Sequence, residues 1–315
     1  FAGLYIVAES WLNDRATNAT RGKLLSLYMV VSYAGVGAGQ LMLNLSSPAE
    51  FPLYILTSVM ISIAVIPLLL SAGSPPAFKE AVGISLGEMF RLAPLGMVGM
   101  FGVGLVTATF FALGPVYAQR IGLDVKQISY FMTAAVIGTV MFQGPIGALS
   151  DRFDRRLVLT VLTLLTAVSV TFCVSAMQAS TNQLYLAVGL FGGLAFPLYS
   201  VCIAHTNDRL EPSQMIAASG ALVLVGGLGA VVGPVLIASI MDLLGKDSFF
   251  WAMGSVHGLI GLFALYRMAR RKAIPIGKQG PNTPTAVHPS FSTLENVQQY
   301  SIDETSEETS DETPP

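Results

Sequence analysis

The sequence predicts an all-α, polytopic membrane protein, and three observations carry that prediction. The 315 residues are 53% hydrophobic and 11% charged, with a mean hydropathy of +0.64, against roughly 25% charged residues in an ordinary soluble domain. Eight segments long enough to cross a bilayer follow one another, at 24–47, 51–73, 92–119, 127–150, 157–181, 184–204, 215–241 and 248–266, with Lys and Arg only at their margins. The basic residues of the connections fall fourteen on one face and three on the other. Helices must build these crossings, because hydrocarbon offers no partner to an unpaired backbone group.

In chain order, the opening FAGLYIVAES holds about half of the ~20 apolar residues a spanning helix needs. It lacks the basic start of a secretory signal, so it reads as the end of a helix cut short and brings the crossings to nine. Two full spans follow, then SAGSPPAFKEAVGISLGEMF (71–90), the longest connection, in which Pro75 and Pro76 stop the preceding helix. Six more spans lie beyond it. Residues 273–315 are rich in Pro, Ser, Thr and acids, and bury too little apolar area to fold. Seven of the nineteen acids, Glu295 to Glu312, lie in that tail; without them and Lys278, sixteen bases stand against twelve acids.

The basic asymmetry sets the orientation. Arg15, Arg21, Lys23, Lys79, Arg91, Arg152, Arg155, Arg156, Arg209, Arg267, Arg270, Arg271, Lys272 and Lys278 share a face that the positive-inside rule places in the cytoplasm with the C-terminus. Arg120, Lys126 and Lys246 lie opposite. Within the cytoplasmic hairpin SDRFDRR, Asp151 and Asp154 are interleaved with Arg152, Arg155 and Arg156. Anchoring needs only the arginines, so the aspartates suggest a more specific task.

Sliding the chain by 194 positions aligns NDRATNATRGKLLSLYMVVSYAGVGAGQ with NDRLEPSQMIAASGALVLVGGLGAVVGP. Asn13, Asp14 and Arg15 fall on Asn207, Asp208 and Arg209, and Gly35 and Gly39 on Gly229 and Gly233. Two related halves of six helices space equivalent points by about this much. The same shift puts the counterpart of the SDRFDRR hairpin about 47 residues before Phe1. The expectation is therefore a six-plus-six helix fold lacking about its first three and a half helices.

Residues Gly147 to Arg156, GALSDRFDRR, resemble the GxLaDrxGrk loop signature of the major facilitator superfamily in its second copy, with Asp154 where the family prefers Gly. GAVVGP (Gly229 to Pro234) is similar to the GxxxGP pattern of the family's antiporters, which is diagnostic in the fifth helix; here it lies in the eleventh, and the fifth-helix counterpart GVGAGQ ends in Gln40. AESWLNDRATNATRGKLLSLYMVVSYAGVGAGQ with FPLYSVCIAHTNDR looks like a branch of bacterial permeases within it. The resemblance covers residues 1 to about 270. It implies 1–72 as part of a fourth helix with the fifth and sixth, 73–91 as a cytoplasmic linker, 92–270 as the second six-helix half, and 271–315 as a disordered acidic tail.

The resemblance also implies a conformational latch of Gly147, Asp151, Arg152, Arg155 and Arg156. Asp151 would meet the start of the opposite half's helix near Gly22 to Leu25 when the cytoplasmic side is closed, weighting that state by about 1–2 kcal/mol. The three arginines would brace the hairpin and hold to lipid phosphates. A plain positive-inside anchor is the simpler alternative. Polar groups at membrane depth are candidate sites, and the resemblance places Gln40, Asn44, Thr107, Thr109, Tyr117, Tyr130, Gln143 and Tyr199 on pathway helices, with Phe110, Phe111 and Phe196 as aromatic walls. For each, a helix-to-helix contact is as good a reading. Gly-Pro pairs at 114–115, 144–145 and 233–234, with Pro197, permit kinks. Glu9, His205 and His257 are the candidate proton-linked groups.

The function these readings imply is secondary transport of a small organic solute by alternating access in the inner membrane, with efflux favoured over uptake and antiport, symport and uniport all open. The expected partners are the solute, the lipid bilayer and protons, for a chain acting as a monomer. A membrane enzyme would need a nucleophile and base at depth, and GxSG and GxGD are both absent; a non-transporting sensor on the same fold is the other alternative. No cofactor, metal or nucleic acid is expected, since Cys173 and Cys202 sit in apolar stretches, the three histidines are scattered and no basic surface patch exists.

Overall fold

A computed structural model describes residues 18–70, 85–210 and 212–270, and among them every regular element is a helix. The helices are α1 (Asn18–Met42), α2 (Pro52–Leu70), α3 (Leu86–Leu92), α4 (Pro94–Arg120), α5 (Val125–Arg152), α6 (Arg155–Ala179), α7 (Thr181–Ala195), α8 (Leu198–Asn207), α9 (Pro212–Leu244) and α10 (Ser248–Arg270). Six spans in α4 to α10 are long and apolar enough to cross a membrane, with α7 and α8 together forming one of them. The first two expected spans are shorter or less apolar by that measure. Glu9 and the tail lie outside the described residues.

Local chemistry sets the helix ends. Asp124 caps α5 through a capping box with Gln127, and Ser180 caps α7 by accepting from the Gln183 amide at 3.3 Å. Pro197 has no amide to donate and parts α7 from α8 in mid-span. By contrast Pro115, Pro145 and Pro234 stay inside unbroken helices. The connection expected over 73–91 ends in regular structure: Ser85 accepts from the Glu88 amide at 3.2 Å, Glu88 stands in the first turn of α3 and Arg91 in its last. Met89 on that helix is fully buried against the bundle end.

Lipid gives apolar helices no reason to leave it, so packing depends on close approach. Glycines supply it at two interfaces. On α9, Gly229 and Gly233 lie against the backbone of α4, where a Cβ at Gly233 would stand 2.7 Å from Thr109 Oγ1. Between α5 and α7, a Cβ at Gly192 would lie 2.6 Å from the Ala135 carbonyl oxygen. GAVVGP is thus a packing feature here, and its repeat partners Gly35 and Gly39 have nothing within 4 Å. Between these interfaces a cluster of aromatic rings fills the bundle. Tyr117 stacks on Phe249 at 4.5 Å, and Phe110 meets Phe131 at 5.8 Å and Phe196 at 5.5 Å.

The helix α1 packs along α5. Ser129 Oγ donates to the Gln40 carbonyl at 2.5 Å and accepts from Asn44 Nδ2 at 3.0 Å, which ties the two helices at the end away from the 152–155 turn. Gly192→Leu should therefore cost about 1–3 kcal/mol or abolish folded protein, while Gly35→Ala should be neutral to stabilising by about 0.5–1 kcal/mol. Thermal unfolding followed by size-exclusion chromatography of the detergent-solubilised protein measures both.

Candidate functional site

The charged hairpin between α5 and α6 is a two-residue turn. Phe153 is extended, and Asp154 starts α6 by accepting from the Arg156 amide at 3.0 Å. Asp154 has φ −56°, so the glycine that the family prefers is not required for this turn. The same carboxylate holds the Arg156 side chain, with Nε at 3.1 Å and Nη2 at 2.7 Å. Burial opposes ionisation of Asp154, but its bonds from Arg156 prevail and hold the carboxyl below the ordinary carboxylate range.

Arg155 is the centre of the site. Its side chain is 1% exposed, and it turns back under the end of α5. Nε donates to Ser150 Oγ at 3.2 Å, Nη1 to the Ala204 carbonyl at 3.2 Å and to Asp208, and Nη2 to Asp151 at 3.0 Å. Asp208 is 2% exposed and Asp151 39%. One guanidinium thus ties the end of α5, the start of α6 and the end of α8.

This placement corrects the expectation that Arg155 and Arg156 hold to lipid phosphates. Arg155 is buried on two carboxylates, and Arg156 is buried on Asp154. Arg152 is exposed with no ion pair among the described residues, and Gly147 is buried in the last turns of α5. The expected partner of Asp151, near Gly22 to Leu25, lies outside the described side chains. The signal for Asp208 in the sequence is the recurrence of NDR at 13 and 207.

The structure scatters the pathway candidates. Thr109 Oγ1 donates to its own helix at the Leu105 carbonyl, 2.7 Å away, and Tyr117 donates to Met177 Sδ at 3.1 Å inside the aromatic cluster. Phe110 and Phe196 are buried in that cluster with Phe111 beside them, so they fill the bundle instead of walling a channel. Tyr199 is buried in a separate apolar cluster with Ile146, Leu198 and Val201, and Tyr130 is exposed beside Lys126. Gln40 and Asn44 belong to the α1–α5 contact. Gln143 Nε2 donates to Ser200 Oγ at 3.3 Å, beside the break at Pro197, while its Oε1 is buried without a hydrogen bond among the described residues. Thr107 Oγ1 and Thr133 Oγ1 share that condition, Thr133 having given no signal in the sequence. His205 is buried near the hairpin, and His257 is buried at membrane depth with both ring nitrogens unpartnered among the described residues.

Removing one member of a buried pair strands the other, at about 3–5 kcal/mol. Asp208→Asn should show that loss in thermal unfolding, whereas Asp151→Asn, on the exposed side of Arg155, should cost under about 1 kcal/mol. Because the carboxyl of Asp154 is depressed in the folded chain, its stabilisation is present above the ordinary carboxylate range and lost as pH falls through the folded value. Asp154→Asn should flatten the acid limb of the melting temperature against pH.

Residues 96–298 match the sequence profile of the Major Facilitator Superfamily. A protein of Escherichia fergusonii named as an uncharacterised MFS-type transporter, YcaD, is 28% identical over 277 residues, 87% of this chain and 71% of its own length. The MFS-type transporter Ent638_1421 of Enterobacter sp. (strain 638) is 30% identical over 279 residues, with the same coverage of both chains. YcaD of Salmonella paratyphi B is also 30% identical over 279 residues. With a family match over most of its length and a fold of apolar spanning helices, the chain belongs to the Major Facilitator Superfamily of membrane transporters.

Proposed function

We propose that this multi-pass membrane transporter is a permease of the inner membrane that exports a small organic solute by alternating access, as a monomer, with proton coupling and with its C-terminus in the cytoplasm. The observation that best supports the reading is the buried Arg155, which makes the hairpin and the end of α8 one rigid unit. A unit of that kind lets a contact made at the hairpin act on a whole helix bundle, and alternating access needs such rigid bodies.

Asp151 is the part of this unit left at the surface, and we assign it the latch role toward the start of α1 on the cytoplasmic side. The Ser129 contact with Gln40 and Asn44 is its counterpart at the other end, closing that mouth when the cytoplasmic side opens. Between them, Gln143, Thr107 and Thr133 offer oxygens without a hydrogen bond among the described residues, and a solute with hydrogen-bond donors suits them. Glu9 and His257 are the groups assigned to proton coupling, His257 because a buried imidazole without a partner changes its charge most readily by a change in its surroundings.

Counterflow in proteoliposomes made from the product of the whole reading frame tests the proposal. At least one labelled solute from a panel of small organic molecules should exchange against its unlabelled form without an imposed gradient, and liposomes without protein should not do so. In the same preparation, Asp151→Asn should increase labelling of cysteines introduced in the first turns of α1 by a thiol reagent from the cytoplasmic side. Exchange by none of the panel, with Asp151→Asn leaving labelling unchanged, would favour the sensor reading and a simple anchor.

A further inference from the structure

At the end of the bundle away from the hairpin, α6 and α7 meet at Ser180, and between them runs an open groove of about 360 Å³. Phe172, Ala176 and Ala179 line it from α6, and Gln183, Leu186 and Leu190 from α7. Liquid water takes about 30 Å³ per molecule, so the groove is many molecules in size, and left empty it would deny its walls their contacts. Water suits it poorly. The hydroxyl that lines it, Ser175 Oγ, already donates to the Thr171 carbonyl of its own helix.

The position of the groove identifies what covers it. The sequence has no Asp, Glu, Lys or Arg between Arg156 and Asp208. Leu165, Val168 and Phe172 are exposed in succession along α6, and Leu186 is 76% exposed on α7. The groove therefore continues an apolar surface carried by two spanning helices, and the solvent of such a surface is lipid. The first half of the chain approaches from elsewhere: α7 lies between α6 and α5, and α1 packs on α5.

We propose that this groove is a binding site for one acyl chain of a phospholipid in the leaflet away from the hairpin. The chain lies along Phe172 and Leu190, with its ester end toward Gln183, whose exposed amide can donate to an ester carbonyl. Lipid tails are as apolar as leucine, so the preference for the groove over bulk lipid comes from contact with two helices at once. Headgroup charge takes no part in recognition, because the turn from Gln178 to Gln183 is uncharged. The site is separate from the solute pathway proposed above and does not depend on transport.

The test uses the full-length protein in a steroid-based detergent, whose rigid rings differ in shape from an acyl chain. Its tryptophans are replaced by phenylalanine, and one tryptophan is returned by Leu186→Trp at the groove or by Leu259→Trp on α10, a site 67% exposed that does not line the groove. The probe is phosphatidylcholine with brominated oleoyl chains, which quench tryptophan on contact. Leu186→Trp should be quenched saturably, reaching half of the effect at a lipid-to-detergent ratio roughly threefold or more below that for Leu259→Trp, the size that a few dispersion contacts supply. Excess dioleoyl phosphatidylcholine should restore its fluorescence, dihexanoyl phosphatidylcholine should not, and phosphatidylglycerol with the same brominated chains should quench at the same ratio. Adding Ala179→Phe, which fills the groove from an exposed position, should move the Leu186→Trp curve onto that of Leu259→Trp. Ser175→Leu, also exposed and in the lining, gives the same reading should the first filling variant not elute as folded protein. The proposal is overturned if the two tryptophans titrate together, if filling the groove leaves the Leu186→Trp curve in place, or if the headgroup and not the chain governs the ratio.

Discussion

A buried guanidinium cannot be left alone, and the hairpin end of this bundle is arranged around that constraint. Taking Arg155 out of water costs several kcal/mol, recovered only where geometry supplies carboxylates and further acceptors. Here Asp208, Asp151, Ser150 and the Ala204 carbonyl supply them from the ends of two helices, α5 and α8. Lysine would not serve in its place, because a point charge cannot reach acceptors in three directions with fixed planar geometry. The interaction thus fixes the relative positions of α5, α6 and α8, more through the penalty for breaking it than through a net gain from forming it.

That arrangement depends on the break at Pro197. A single straight helix from Thr181 would carry Ala204 and Asp208 along the line that α7 keeps against α5. Parting α7 from α8 frees the second segment to pack on α4, where Gly96 and Gly99 approach Thr206 and Cys202. Gln143 meets Ser200 just beyond the same break. The kink, the glycine contacts and the buried ion pair are therefore one construction: small residues admit the helix, proline redirects it, and its charged end is caught by Arg155.

Most hydroxyls in the spans return to their own helices. Thr109, Thr139, Thr163, Thr166 and Thr206 donate to carbonyls three or four residues earlier, which satisfies them without a partner helix. Against that background the oxygens of Thr107, Thr133 and Gln143 stand out, because they are buried without a hydrogen bond among the described residues, which is costly in hydrocarbon. The aromatic cluster of Phe110, Tyr117 and Phe131 lies on the same helices, α4 and α5, as Thr107 and Thr133. Polarity alone at membrane depth does not tell these oxygens from hydroxyls bonded to their own helix.

What the sequence determined by itself was the all-helical membrane architecture, because charge-free runs of bilayer length leave no other backbone structure. Span limits were legible to within a few residues for most helices of α4 to α10, and the family was legible in GALSDRFDRR. The repeat of NDR pointed to Asp208 without saying why. Tertiary structure decided that Asp208 and Asp151 share Arg155, that Arg156 turns inward, that Gly229 and Gly233 serve packing, and which polar side chains keep a free acceptor. These depend on distances between residues some fifty positions apart, such as Arg155 and Asp208. Periodicity and composition record only what a residue's own helix needs, and a charge pattern gives the sign of a side chain without the direction in which it is turned.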